Sequence, residues 1–295
     1  MLRLKQGFFY LLVFSVLTLN ACAKTNVRGS DEAIDSIPVQ AELSEELLYH
    51  LLVGEFAGNA GDMELSVESY NRAAMQTPDA RVAARASYIA VYGERYEEAL
   101  ELLERWEQLD PDDGEIPRMY AITYLKLGQP VEAATYIQSI LDTVEGNGHE
   151  KALAVKRLLA QESSTEDGLM VLDALNKANP GNQHMLLLQA RYAAQLEKYD
   201  YALELLDQVL EIDSTQADVH IIKARILAAQ GKQEQAMALI ALVLMEQPDN
   251  DHLRLQYARM LVEQIQFNQA KAQFNFLLKD DPENADILIS LGLLN

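Results

Sequence analysis

Between Gly181 and Pro282 the same arrangement of apolar, small and polar positions is written three times, with a period of 34 residues. Its clearest mark is a small residue, followed four positions on by a large apolar one and twelve positions on by Pro or Ser. Ala202, Leu206 and Ser214 make one copy. Ala236, Ile240 and Pro248 make the next, and Ala270, Phe274 and Pro282 the third. Carried backwards, the register finds Gly168 with Leu172 and Pro180, then Ala133 with Ile137. Before these come Ala99 with Leu103 and Pro111, and Ser66 with Tyr70 and Pro78. Successive small residues are 33 to 35 positions apart. Residues four apart share one face of a helix, so the pattern predicts an antiparallel helix pair per unit. The small residue lets the second helix approach the first, and the large one fills the space a turn later. Pro near the end of each second helix cannot continue it, so the next unit starts there. No run alternates with the period of a strand, and the fold class expected is all-α.

A helix pair repeating every 34 residues resembles the tetratricopeptide repeat, TPR. Numbered from 1 in each unit, that family's small position 8 falls on Gly54, Ser87, Ala121, Ala190, Ala224, Ala258 and Gly292. Its position 20 is the small series above, and position 32 carries the Pro. The resemblance covers about Leu47 to Asn295 and implies a TPR solenoid, a right-handed superhelix of seven full repeats plus the start of an eighth. The expected divisions are TPR repeats 1–3 over residues 44–142, an irregular repeat 4 over 143–180, and repeats 5–7 with the first helix of repeat 8 over 181–295. Repeat 4 departs from the pattern with Lys156 at position 8. Before it, Gly146 and Gly148 stand where a Pro is usual, so the superhelix is expected to bend there. At the far end Ile287, Leu288, Leu291 and Leu294 lack a second helix to cover them. A longer array or a covering partner is therefore expected.

The start of the sequence reads differently. Arg3 and Lys5 precede an apolar run from Phe8 to Leu19, and Leu19-Asn20-Ala21-Cys22 follows. Twelve residues are too few to span ~30 Å of hydrocarbon as a helix, but they fit the apolar stretch of a secretory signal. Cys22 is the one cysteine in the sequence. The stretch resembles a bacterial lipoprotein signal over residues 1–21, which implies cleavage before Cys22, lipidation of Cys22 and a membrane anchor. An ordinary signal with an incidental Cys and an uncleaved anchor are the other readings. Ala23 is not the Asp that resembles an inner-membrane retention signal, so the expected location is the periplasmic face of a Gram-negative outer membrane. Residues 22–43 are small and polar and read as a flexible tether. Ser44 then caps the first helix, with Glu45 and Glu46 in its first turn.

Apolar residues make up 49% of the sequence, enough for a continuous core, and the formal charge is −21. That charge argues against nucleic acid as a partner. It is expected to sit on solvated faces such as Glu97, Glu98, Glu101 and Glu104. Beyond Cys22 there is no cysteine, so no disulfide supports the repeats. No nucleophile and base pair up, and no glycine loop could cradle phosphate. His184, His220 and His252 fall at positions 2, 4 and 2 of their units and do not share a face, so no metal is expected. Trp106 reads as core. No cofactor, small-molecule substrate or catalysis is expected.

One constellation stands out. Arg157, Arg191, Arg225 and Arg259 follow each other at 34 residues, all at position 9. A side chain repeated at the period of a solenoid forms a ladder along one surface. By the family resemblance, positions 2, 5, 9, 12 and 13 line the concave groove. That puts Leu187, Ile221 and Leu255 beside the arginines, with Leu153 before them and Ala160, Ala194, Ala228 and Val262 at position 12. Guanidinium groups bind carboxylates bidentately, so an acidic segment or the carboxyl terminus of another protein would suit this groove. The alternative is a solvated helix face whose arginines pair with their own glutamates.

Taken together these features resemble the TPR lipoproteins of Gram-negative outer membranes that act as adaptors of periplasmic carboxyl-terminal processing proteases. The resemblance implies a non-catalytic scaffold that engages protein or peptide partners. A pilotin-like or outer-membrane-assembly lipoprotein is one alternative. An enzyme whose catalytic domain lies beyond residue 295 is another.

Overall fold

The computed structural model describes residues 43–294, which form fifteen helices and, among the described residues, no strand. The expected signal, Cys22 and most of the tether lie outside the described residues. The helices follow as pairs. They are α1 (Glu45–Ala60) and α2 (Met63–Gln76), α3 (Ala80–Tyr92) and α4 (Tyr96–Leu109), and α5 (Ile116–Lys126) and α6 (Pro130–Thr143). Then come α7 (Gly148–Glu162) and α8 (Thr165–Ala178), α9 (Gln183–Gln195) and α10 (Tyr199–Ile212), and α11 (Ala217–Ala229) and α12 (Gln233–Glu246). Last are α13 (Asp251–Glu263) and α14 (Phe267–Leu277), with α15 (Ala285–Leu293) following. None of these helices is long and apolar enough to cross a membrane.

Side-chain caps start many of the helices, the expected one at Ser44 among them. The Ser44 hydroxyl accepts from the Leu47 amide, and Asp62, Asn250 and Asn284 do the same for α2, α13 and α15. Each such bond satisfies an amide that the helix itself cannot. Packing follows the small-and-large rule. Ser66, Ala99, Ala133, Gly168, Ala202, Ala236 and Ala270 are all buried, and so are the seven large residues one turn after them. At Gly54 the approach is so close that a β-carbon would lie 2.7 Å from the Tyr70 ring, and Ser66 donates to the Gly54 carbonyl at 2.8 Å. Each fully buried Leu, Ile or Phe contributes roughly 1.5–3 kcal/mol.

The turn inside each pair is built in one way in six units. Gly61, Glu94, Gly128, Glu197, Gly231 and Ile265 all sit at position 15 with φ between 57° and 85°. In each, the next residue's amide donates back across the turn, as Arg95 does to Ala90, Lys198 to Ala193 and Gln266 to Leu261. This is the left-handed helix stop that returns the backbone alongside itself. The fourth unit lacks it: Ser163 at position 15 has φ −128° and Ser164 caps α8. Accordingly α7 and α8 do not lie along each other as the other pairs do. Instead α8 packs between α6 and α9, and α7 packs beside α9. Lys156, at position 8 of this unit, is exposed.

The last helix differs from expectation in detail. Ile287 is buried and Leu291 and Leu294 pack partly against the cluster around Phe274. The apolar residues left outward are Leu288, Ile289 and Leu293, and Gly292 is exposed rather than packed. With no further helix among the described residues, position 8 of α15 has nothing to pack against.

Candidate functional site

All four arginines at position 9 are exposed: Arg157 on α7, Arg191 on α9, Arg225 on α11 and Arg259 on α13. Their surroundings set them apart from five of the other seven described arginines. Arg105 and Arg254 likewise have no carboxylate partner; Arg105 donates to the Thr77 carbonyl, and Arg254 to Gln273 and the Pro248 carbonyl. Arg72, Arg81, Arg85, Arg95 and Arg118 each form an ion pair with a nearby carboxylate. Among the described residues none of the ladder arginines does. Arg157 donates only to the Leu153 carbonyl of its own helix, at 3.4 Å. Arg225 reaches across to α13, where its guanidinium donates to Gln256 Oε1 at 2.9 Å. The reading in which these arginines are neutralised by their own glutamates therefore finds no support in the geometry. An arginine without a carboxylate keeps its bidentate donors for a ligand.

The apolar neighbours are placed less evenly. Leu187 and Leu255 are half-buried, and Leu153 is 39% exposed. Ile221 is 4% exposed and belongs to the core with Ile240 and Leu244, so it offers the groove almost no surface. Ala194, Ala228 and Val262 are half-buried, while Ala160 on the displaced α7 is exposed. The residues expected to line the groove thus differ in how much surface they expose.

The three histidines make separate contacts. The rings of His184 and His149 meet edge-on at 5.1 Å, joining α9 to α7. His220 Nε2 lies 3.0 Å from the Ser214 carbonyl, and His252 lies 3.3 Å from Asp218 on the preceding first helix. Among the described residues no three ligating side chains converge as a metal site.

Two concavities carry no mark in the repeat pattern. One, of about 210 Å³, lies where α6, α8 and α9 meet and is lined by amides including Gln138, Asn179 and Asn182. The other, of about 290 Å³, opens on α3 and ends at Trp106, Asp110 and Asp113. Beside it the Tyr88 hydroxyl is pushed up from its ordinary pKa, first by burial and then by the Glu115 carboxylate, with Asp113 adding and Arg118 opposing. Near α1 the Tyr70 hydroxyl donates to Glu55, which Arg85 also reaches at 3.1 Å. The hydrogen bond from Tyr70 holds the Glu55 carboxyl below its usual range, and burial with that bond drives the Tyr70 pKa up to about 12.

Comparison with known proteins agrees with the helix-pair architecture. A family model described as tetratricopeptide repeat matches residues 93–161 and 193–256. The protein is 31% identical over 159 residues to a TPR repeat-containing protein of Pseudomonas aeruginosa, a match covering 54% of this sequence and 27% of that protein. It therefore spans about a quarter of the length of that curated relative. A solved tetratricopeptide repeat protein from Parabacteroides merdae aligns at 16% identity and a TM-score of 0.41, over 85% of this protein and 99% of that one. A crystal structure of MamA aligns at 12% identity and a TM-score of 0.41, over 59% and 98%.

Proposed function

We propose that this protein is a non-catalytic scaffold that holds other proteins, and that the ladder of Arg157, Arg191, Arg225 and Arg259 engages an acidic extended segment or a partner's carboxyl terminus. The observation that carries the reading is the ladder itself: four guanidinium groups at one repeat position, none paired with a carboxylate among the described residues, in a protein of formal charge −21. Unpaired arginines at the period of a solenoid present their donors in a row, and an extended peptide presents its carboxylates in a row. Leu187, Leu255 and Leu153 supply apolar contact beside them.

The scaffold is proposed to be held by lipid on Cys22 at the periplasmic face of an outer membrane, as an adaptor for a carboxyl-terminal processing protease. The stretch from Arg3 to Cys22 supports the anchor, because a short apolar run ends at the one cysteine. Multiple acyl groups make anchoring stable where a single one does not.

The test is a titration with a fluorescent peptide of four glutamates ending in a free carboxylate. Arg191→Gln with Arg225→Gln is expected to weaken binding at least tenfold, which is ~1.4 kcal/mol. The pair Glu101→Gln and Glu104→Gln, on an exposed face of α4, is the control and should change little. Equal binding by the wild type and the folded double arginine variant would refute the ladder as the binding surface.

A further inference from the structure

The cavity on α3 is built for a different charge. Ala80 and Ala84 stand one turn apart among its lining residues, and neither side chain is large. Tyr88, another turn on, leans against Trp106 with ring centroids 6.0 Å apart and planes at 50°. Trp106 is 2% exposed and forms the end of the cavity, while Tyr88 is 41% exposed and forms its wall. At about 290 Å³ the space lies at the lower end of the ~300–1,000 Å³ of small-molecule clefts, the right scale for one long side chain.

Four charged groups ring this space, and they are not equivalent. Asp79 holds Arg81 through both carboxylate oxygens, at 2.9 and 2.5 Å. Glu55 holds Arg85 at 3.1 Å, and the same guanidinium lies 5.8 Å from the centre of the Tyr70 ring. Both arginines are therefore already neutralised. Asp110 has no side-chain hydrogen bond or ion pair among the described residues. Asp113 accepts one bond, from the Glu115 amide at 3.0 Å, and has no cation beside it. What remains without an ion pair is two carboxylates next to two aromatic rings, while Arg118, the other cation near Tyr88, is paired with Glu115 at 3.6 Å.

We propose that this pocket receives an arginine side chain from a protein partner, the guanidinium meeting Asp110 and Asp113 with its flat face against Tyr88. A planar guanidinium stacks on an aromatic ring and bonds a carboxylate through a fork, which an ammonium does not do. Attraction to the ring face adds to the ion pair. The Tyr88 pKa is raised first by burial, with Glu115 and Asp113 adding to the shift and Arg118 opposing it. The inference rests on the reading of the protein as a protein-binding scaffold for the source of the side chain, but on different residues from the ladder.

Trp106 is the one tryptophan in the sequence, so its fluorescence reports on this pocket. The probes are three blocked pentapeptides with alanine at four positions and arginine, glutamine or glutamate at the centre. The arginine peptide is expected to change Trp106 emission saturably and to bind at least fivefold more tightly than the glutamine peptide. Asp110→Asn should weaken it at least threefold. Because the Asp110 side chain bonds nothing among the described residues, the fold should survive, with helicity by circular dichroism as the check. Tyr88→Leu should weaken the arginine peptide as well. Equal affinity for the arginine and glutamine peptides, preference for the glutamate peptide, or full binding by a folded Asp110→Asn variant would each overturn the proposal. The Arg191→Gln, Arg225→Gln variant should keep the Trp106 response, so failure of the ladder and failure of this pocket can be told apart.

Discussion

The ring of Tyr192 on α9 occupies the space that a side chain on Gly168 of α8 would need: a β-carbon there would lie 2.4 Å from Tyr192 Cε1. In the first unit the close approach is within the pair, Gly54 against Tyr70. In the fourth it has moved to the next unit, because α7 has left α8. Glycine inside a helix costs about 1 kcal/mol relative to alanine, so Gly168→Ala would be stabilising if there were room. Overpacking of this kind typically costs ~1–3 kcal/mol, and the net expectation is destabilisation. Urea unfolding measures it. Gly292→Ala, where nothing lies within 4 Å of the added carbon, is the comparison and should be neutral or stabilising. A stabilising Gly168→Ala would mean that α8 and α9 can slide apart.

The turn at position 15 makes a second prediction. Ile265 adopts φ 59° with a branched side chain that is 75% exposed, so it carries strain without packing in return. A left-handed residue with a side chain costs roughly 1–2 kcal/mol relative to its alternatives, and glycine removes most of that. Ile265→Gly should therefore raise stability by about 0.5–1 kcal/mol, with Glu94→Gly and Glu197→Gly acting in the same sense. Ser163→Gly should not, because its φ of −128° is open to any residue. The unfolding midpoints of the four variants decide it.

The helix pairs were legible because close packing leaves a mark at a fixed interval. Only a small residue permits the approach, only a large one fills the gap, and both recur with the unit. Ser66 and Tyr70 show this as clearly as Ala270 and Phe274. The turn was half legible: Gly61, Gly128 and Gly231 share one position, but Glu94, Glu197 and Ile265 tolerate the same conformation and hide it. Lys156, at the usually small position 8, signals irregularity in the fourth unit but not where α8 goes. That depends on which neighbours accept its apolar face. Position 9 marked the arginines. Their lack of carboxylate partners depends on side-chain reach, which no spacing records. Ile221 shares a position with Leu187 and Leu255 yet is buried, since small rotations of one helix decide between groove and core. The α3 pocket left no periodic signal, because Tyr88, Trp106 and Asp110 occupy one unit only.

Stability near α1 should depend on pH at both ends. Glu55 has a depressed folded pKa, owing first to the Tyr70 hydroxyl, so its contribution is present above the ordinary carboxylate range and is lost as pH falls through the folded value. Tyr70 has a raised folded pKa, so its contribution is full below about 10 and is lost as pH rises towards about 12. Tyr70→Phe should flatten the alkaline limb between those values and also lift the Glu55 pKa towards its usual range. Thermal melting of the two proteins from about pH 9 to about pH 12 provides the check. Parallel curves would show that Tyr70 titrates no differently in the folded protein.

The last prediction compares two residues at one repeat position. Gln189 and Lys223 both stand at position 7, and each meets an aspartate of the preceding second helix. Lys223 forms an ion pair with Asp207, a partly exposed contact of the kind that contributes under ~1 kcal/mol. Gln189 is 1% exposed and sits inside a polar network that ties α8, α9 and α10 together. It accepts from Asn176 Nδ2 at 2.6 Å and donates to the Tyr201 hydroxyl at 2.7 Å, which donates in turn to Asp173 at 3.2 Å. The other end of Asn176 already lacks a partner among the described residues. Gln189→Ala therefore strands a buried amide donor, at about 1–3 kcal/mol, and leaves a cavity besides. It should cost at least ~2 kcal/mol, while Lys223→Ala should cost less than ~1 kcal/mol. Replacing Asn176 and Gln189 together by leucine removes both amides and should restore much of the loss, since a matched apolar pair leaves nothing unsatisfied. Urea unfolding gives the three values, and hydrogen exchange in α8 and α9 locates the change. Equal costs for Gln189→Ala and Lys223→Ala would mean that water replaces the glutamine, and that this junction is wetter than its packing implies.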